Sequence, residues 1–271
     1  MDLDLVKSII LGLVQGLSEF LPISSSGHLV IFADLLNFHE EGIAFEVFVH
    51  FGTLLSILVA FRYELSKMII APFAVGFKKS EDAELKEYFK WDGYVIVATI
   101  PAAVIGLTLK DPIEALFSNT LLVYFMLAIT GLIMVISPKL KEKGTSLKYG
   151  NSFIIGIAQA FAIMPGISRS GSTIFTALFL GINREKAARF SFIMSIPAVL
   201  GAVVLKIKDV LDATITSAEI INYAAGTIVA FISGYFAIIW LLDIVKKGKL
   251  QWFGYYCFSV SALGLVWYFT R

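Results

Sequence analysis

The chain has 271 residues, of which 58% are hydrophobic, 14% aromatic and only 16% charged, against about 25% charged in an ordinary soluble domain. This balance excludes a soluble globular protein and describes an integral membrane protein, read as a single membrane domain over residues 1–271. The formal net charge of +1 says nothing about partners; the distribution of the charges carries the information, and no nucleic acid is expected. The lone cysteine, Cys257, lies in an apolar run and cannot form an intrachain disulfide, so it reads as a small buried hydrophobe. Met1-Asp2-Leu3-Asp4 with an early Lys7 makes a poor signal peptide, so the chain is expected to be inserted whole.

The first element is interrupted. An apolar run from Ile9 to Leu17 leads past Glu19 to a turn of Pro22, Ser24, Ser25, Ser26, Gly27 and His28, and a second run follows from Leu29 to Leu36. Neither arm reaches the roughly 20 residues a spanning helix needs. Six later segments do fit spans: Ile43–Arg62, Gly93–Leu109, Thr120–Ser137, Ala187–Leu205, Ala218–Ile244 and Gln251–Phe269. Between the first two, Glu64–Lys90 starts apolar but short around Pro72 and ends densely charged, so it is read as an interfacial and then cytoplasmic excursion. His39, beside Glu40 and Glu41, reads as solvated.

A second interrupted element, Gly156 to Gly171, repeats the first. Against Gly12 to Gly27 it matches at six of sixteen positions, namely Gly156, Gln159, Ile167, Ser168, Ser170 and Gly171, each 144 residues after its counterpart. Irregular backbone at membrane depth is tolerated only where protein or a wet cavity covers it, which a re-entrant hairpin provides. Each half is then one hairpin plus three spans: repeat one over about 1–137, repeat two over about 151–271, joined by the basic loop Pro138–Gly150. A hairpin changes no side and three spans change it once, so the second half starts on the opposite face. The expected fold is an all-α inverted-topology repeat with six transmembrane helices and two re-entrant helical hairpins whose tips meet near the midplane.

Sixteen lysines and arginines fall on one face of this arrangement, from Arg62 to Lys249; Lys7, Lys110, Lys206, Lys208 and Arg271 fall on the other. The positive-inside rule puts the richer face in the cytoplasm and both termini outside, with the first hairpin opening outward.

The hairpins hold the polar groups. Gln15 and Glu19 are four apart and share a helix face, and His28 opens the return arm within reach of Glu19. In the second hairpin Arg169 is the one arginine assigned to membrane depth, Gly166 and Gly171 free the backbone, and Ser172 and Thr173 open a helix whose N-terminus favours an anion. An arginine, hydroxyls and a helix N-terminus describe a phosphate site. A nearby carboxylate would repel bare phosphate, and a bridging Mg²⁺ removes that conflict. Plainer readings stand beside these. Gln15 and Gln159 could bond across helices, Glu19 could only pair with Arg169, Ser24, Ser25 and Ser26 could only cap, and His28 and His50 could be packing residues. Glu46 is left open, and Arg184, Lys186 and Arg189 read as topology signals.

The strings QGLSEFLPISSSGH and PGISRSGST resemble the two signature motifs of the undecaprenyl-diphosphate phosphatase family, the bacitracin-resistance type, and FEVFVHFGTLLSIL and FSFIMSIPAVLGA agree with it over essentially the whole chain. The resemblance implies six spans with two hairpins and hydrolysis of an isoprenoid lipid diphosphate, undecaprenyl diphosphate, to the monophosphate and phosphate. It also implies a divalent cation, expected to be Mg²⁺ or Ca²⁺; with the charge asymmetry, the expected location is the cell inner (plasma) membrane with the active site toward the periplasm. Carried over by position, Gln15 and Glu19 are the acidic-motif pair, Ser25 the turn serine, His28 the histidine, and Ser168, Arg169 and Thr173 the phosphate-motif residues. With the reading of the tips, the expected metal ligands are Glu19 and Gln15, the expected catalytic residues Glu19, Ser25, His28 and Arg169, and the expected substrate-binding residues Ser24, Ser26, Gly166, Ser168, Ser170 and Thr173. The first motif position is often Glu; Gln15 cannot act as a base and is a weaker metal ligand. Either Ser25 attacks phosphorus with His28 taking its proton, or His28 or Glu19 activates a water. Membrane lipids are the other expected partners, and a homodimer is compatible with the sequence. A transporter or lipid flippase is the competing reading, because inverted repeats with broken helices are transporter architecture.

Overall fold

In the computed structural model, which describes residues 3–36, 43–212 and 216–270, the chain is helical throughout, with no strand among those residues. His39, Glu40, Glu41 and Arg271 lie outside them. The helices are α1 (Leu3–Phe20), α2 (Ser25–Leu35), α3 (Ile43–Ala60), α4 (Arg62–Ala71), α5 (Ala83–Thr108), α6 (Lys110–Phe117) and α7 (Thr120–Ile136). After the loop come α8 (Tyr149–Phe161), α9 (Arg169–Phe179), α10 (Arg184–Asp212), α11 (Ser217–Lys246) and α12 (Gln251–Thr270). Their starts follow local chemistry: Asp82 accepts from the backbone N–H groups of Glu84 and Leu85 at the head of α5, and Thr216 forms a capping box with Glu219 at the head of α11.

α5, α7, α10 and α11 are each long and apolar enough to cross a bilayer, and the bent pair Ala44–Ala60 with Arg62–Phe77 would add a fifth. α12, 20 residues long, is not among them, because its tryptophans, tyrosines and serines lower its mean hydropathy. Large apolar side chains face outward along the long helices: Ile96, Ile100 and Val104 on α5, and Ile228, Ile232, Phe236 and Ile239 on α11. An apolar surface of that extent belongs in lipid rather than water. The protein is therefore an all-α membrane protein. Ion pairs gather at one end: Arg189 joins Glu64 of α4 to Glu185, Lys246 of α11 reaches Glu185 at 3.1 Å, Lys186 reaches Glu87 at 2.7 Å and Arg184 reaches Glu142 at 3.1 Å.

The two interrupted elements are α1 with α2 and α8 with α9, each a helix, a tight turn and a return helix. The sequence relation between them extends to packing. α1 lies along α11 while α8 lies along α5, α7 lies along α12, and α3 lies along α10. Exchanging the halves carries each of these pairs onto another or onto itself. The seams are tight. A Cβ on Gly12 would meet the Gly226 carbonyl oxygen at 2.4 Å, and one on Gly156, its counterpart, would meet that of Ala98 at 2.3 Å, so only glycine lets these backbones approach so closely. The main core, around Phe20, Phe61, Phe190 and Phe192, lies beneath the hairpin tips and draws on both halves.

Candidate active site

The turn between α8 and α9 is pinned from α7. Thr130 Oγ1 donates to the Gly166 carbonyl at 2.8 Å and accepts from the Ser168 N–H at 3.0 Å. Gly166 has φ +92, a conformation that suits glycine. Ser168 then caps α9 by accepting from the Gly171 N–H, and Ser24, its counterpart, caps α2 by accepting from the Gly27 N–H. Ser24 does so at φ 72, unusual for a residue with a side chain. The tips meet: a Cβ on Gly27 would lie 3.2 Å from the Gly166 Cα, and Ser170 Oγ donates to the Leu21 carbonyl at 3.4 Å.

Glu19 sits where the tips meet. Its Oε1 accepts from Arg169 Nη2 at 2.5 Å; its Oε2 accepts from Ser25 Oγ at 2.5 Å and from Gln15 Nε2 at 3.0 Å. The carboxylate is 7% exposed and Gln15 fully buried. A charge at that depth is tolerable only when paired and hydrogen-bonded, and four groups from the two hairpins meet this condition together. Arg169, at the first turn of α9, adds its guanidinium to a helix terminus that already favours anions.

A cavity of about 550 Å³ opens over this cluster. Glu19, Ser25, Ser26, His50, Gln159, Ser168 and Arg169 form its polar end. Ala102, Ala103 and Leu107 of α5 and Val199, Ala202 and Leu205 of α10 supply apolar wall, and Lys110, Glu114 and Lys206 also line it, Lys206 pairing with Glu46 at 3.3 Å. A pocket with one polar, cationic end and long apolar walls takes an amphiphile with an anionic head.

Of the residues singled out by sequence, Glu19, Ser25, Ser26, Ser168 and Arg169 line the cavity, and Gln15 stands behind Glu19. The others do not reach the wall. Ser24 and Ser170 bond within and between the tips, and Gly166 packs against α7. Thr173 Oγ1, 1% exposed with its residue, bonds the Arg169 carbonyl at 2.8 Å and the Ser191 hydroxyl at 2.5 Å. These four build the tips instead of facing a ligand.

His28 is the clearest departure. Its Nδ1 donates to the Ser24 carbonyl at 2.8 Å, and in the neutral ring Nε2 accepts from the Tyr256 hydroxyl at 2.8 Å. The two rings stack with centroids 5.5 Å apart. Both nitrogens are thus engaged away from Ser25, so His28 is not set to take the serine's proton. The imidazole on the cavity wall is His50 of α3. Its Nδ1 donates to the Glu46 carbonyl at 2.8 Å, which leaves Nε2 as the nitrogen open to the cavity. In the sequence His50 is one polar residue on an apolar span, and only its opposition to Glu19 across the fold distinguishes it.

Among the described residues no three His, Cys, Asp or Glu side chains converge as a metal cage. The tip does hold hard oxygen donors. Glu19 is a carboxylate, and the Oε1 of Gln15 beside it is buried with no partner. That set suits Mg²⁺ or Ca²⁺ completed by water and phosphate oxygens, since Mg²⁺ is held by one or two carboxylates plus substrate phosphate.

Known proteins resemble the chain along nearly all of its length. It is 41% identical over 268 residues to the undecaprenyl-diphosphatase of Halothermothrix orenii, covering 97% of this chain and 98% of that one. It is 39% identical over 275 residues to that of Christiangramia forsetii, with 99% and 100% covered, and 41% identical over 271 residues to that of Methanobrevibacter smithii, with 96% of each covered. The family model described as bacitracin resistance protein BacA matches residues 8–263, from α1 through most of α12 and across both hairpin tips, and the chain belongs to that family.

Proposed function

We propose that the protein is a membrane phosphatase that hydrolyses undecaprenyl diphosphate to undecaprenyl phosphate and inorganic phosphate, returning the lipid carrier to cell-wall synthesis. The observation that carries this is the Arg169–Glu19–Ser25 cluster at the polar end of an apolar-walled cavity, in a chain matched end to end by diphosphatases. The prenyl tail runs between α5 and α10, and the diphosphate meets Arg169 and the N-terminus of α9, which stabilise charge developing on phosphate oxygens.

Ser25 is aligned as the nucleophile, because its hydroxyl already donates to Glu19. Attack forms the Oγ–P bond at the terminal phosphorus and breaks the bridging P–O bond. The serine proton passes to Glu19, and the lipid monophosphate departs. Water then cleaves the phosphoserine, releasing inorganic phosphate and restoring the hydroxyl. Arg169 moves from Glu19 to phosphate as substrate enters, which frees the carboxylate to accept the proton. A divalent cation, Mg²⁺ or Ca²⁺, would be held by Glu19 and Gln15, and would supply the positive charge that lets phosphate approach a carboxylate.

The proposed arrangement has six membrane passages with two re-entrant hairpins in inverted repeats, the chain lying in the plasma membrane with the cavity facing the periplasm. The exchange of packing partners between halves supports the pseudo-two-fold relation, and Lys110 and Lys206, which line the cavity, are two of the few cations assigned to the outer face.

The test is phosphate release from undecaprenyl diphosphate by purified protein in detergent, with and without chelator. Release that chelator abolishes and Mg²⁺ or Ca²⁺ restores is expected. A monodisperse preparation that releases no phosphate under any cation would sink the enzyme reading, since transport has no meaning without two sides.

A further inference from the structure

The repeat makes a specific comparison available. Gln15 and Gln159 are counterparts, and both are nearly sealed from solvent, at 0% and 2% exposure. Gln15 uses its amide: Nε2 donates to the carboxylate of Glu19, four residues on. The counterpart of Glu19 in the second repeat is Ile163. Gln159 therefore has no carboxylate to donate to, and both Nε2 and Oε1 are buried without a hydrogen-bond partner. The cross-helix bond that would make Gln159 a packing residue is not formed. Ala102, Ala103, Ala162 and Ile163 of α5 and the α8–α9 hairpin line the same cavity, and the Thr99 hydroxyl on that wall is committed to the Val95 carbonyl at 2.8 Å.

A buried amide left unpaired costs about 1–3 kcal/mol, so such a group persists where something else completes it. Gln159 lines the same cavity as Arg169, Glu19 and Ser25. A prenyl chain cannot complete an amide, whereas an anionic oxygen can.

We propose that Gln159 is a substrate-contact residue whose amide N–H donates to a phosphate oxygen, the ligand filling the place that the Glu19 carboxylate fills for Gln15. The inference rests on the diphosphatase reading and adds a phosphate ligand from outside both signature strings. The side chain is neutral, so it orients the phosphate without adding charge, while its Oε1 accepts from a phosphate-bound water or a protonated phosphate oxygen. No bond is made or broken at Gln159.

The experiment uses full-length protein in detergent in three forms: wild type, Gln159→Leu and Gln159→Glu. Three quantities are read: kcat and KM for undecaprenyl diphosphate, apparent Tm without ligand, and the rise in Tm given by inorganic phosphate. For Gln159→Leu, kcat/KM is expected to fall about 10- to 100-fold, the range for losing a hydrogen bond to a charged group, with the Tm rise on phosphate reduced. Its ligand-free Tm is expected to be equal to or above that of wild type, because an unpaired buried amide has been removed. Gln159→Glu should lose more, through repulsion of the anion. A Leu variant with unchanged kcat/KM and full phosphate protection would overturn the proposal. So would a Leu variant with a lower ligand-free Tm and an unchanged KM, the signature of a packing role. The wild-type rate keeps the two readings apart: no release from wild type defeats the diphosphatase reading, whereas release from wild type with an indifferent Leu variant defeats only the role of Gln159.

Discussion

At the scale of single residues the site turns on Arg169. It holds the Glu19 carboxylate at 2.5 Å while lining the cavity, and on the proposed reading the same guanidinium would serve both the resting ion pair and an incoming phosphate. Its planar fork cannot be copied by an ammonium. Arg169→Lys is expected to lose most turnover with the fold intact, and Arg169→Ala to lose about 10²–10³-fold, the range for removing a charge-stabilising donor. The check is kcat for purified, monodisperse variants at saturating substrate and cation; near-normal turnover in the Ala variant would refute the phosphate role of the second hairpin. Glu19, Ser25 and Arg169 were legible in the sequence because charges and hydroxyls in a Pro/Gly/Ser turn between apolar arms have no cheap alternative at membrane depth. The cavity position of His50 was not, since nothing in its span shows what the fold sets opposite, and the repeat marked Gln159 without showing that its amide is left unpaired. The partner of His28 was equally hidden: Tyr256 is 228 residues away and nothing local announces it.

At the scale of elements, the hairpins were legible from their turn residues, and the breaks between helices elsewhere were less so. α3 and α4 meet at 78°, yet the break falls at Phe61, where neither glycine nor proline marks it, and Pro72 lies a full helix later. The bend places Glu64 against Arg189, 125 residues away, a long-range pairing that local sequence does not encode. The head of α5 behaves similarly, running as helix through the charged stretch Ala83–Lys90 before it enters the apolar segment. The element that most directly sets the site is the α8–α9 turn, which the Thr130 hydroxyl ties to α7 through two bonds. Thr130→Val keeps the shape of the side chain but leaves the Gly166 carbonyl and the Ser168 N–H buried and unpaired. A loss of about 1–3 kcal/mol for such a defect, read as a lower apparent Tm, is expected together with reduced turnover. Thr130→Ser restores the hydroxyl and should recover both. A Val variant with wild-type Tm and turnover would show that the tip is held by packing alone.

At the scale of the whole molecule, sidedness follows from charge. The ion pairs linking α4, α5, α10, α11 and the loop before α8 gather basic residues at one end, and the proposed orientation, from the positive-inside rule, has that end in the cytoplasm. Cysteines introduced singly at Lys86 and Lys143, in a Cys257-free background, are expected to resist an impermeant thiol reagent in intact cells and to react after permeabilisation. Ready labelling of both in intact cells would reverse the orientation. The glycine seams carry a different consequence. α1 of the first half is dovetailed to α11 of the second at Gly12 and Gly226, and α8 of the second half to α5 of the first at Gly156 and Ala98. The halves are cross-braced, each gripping the other by the arm that carries its own polar tip. To rock one against the other, both joints would have to be prised open at once, where backbone meets backbone and no flexible side chain can give. The molecule is built as a fixed vice around its cavity, a design suited to holding a phosphate still.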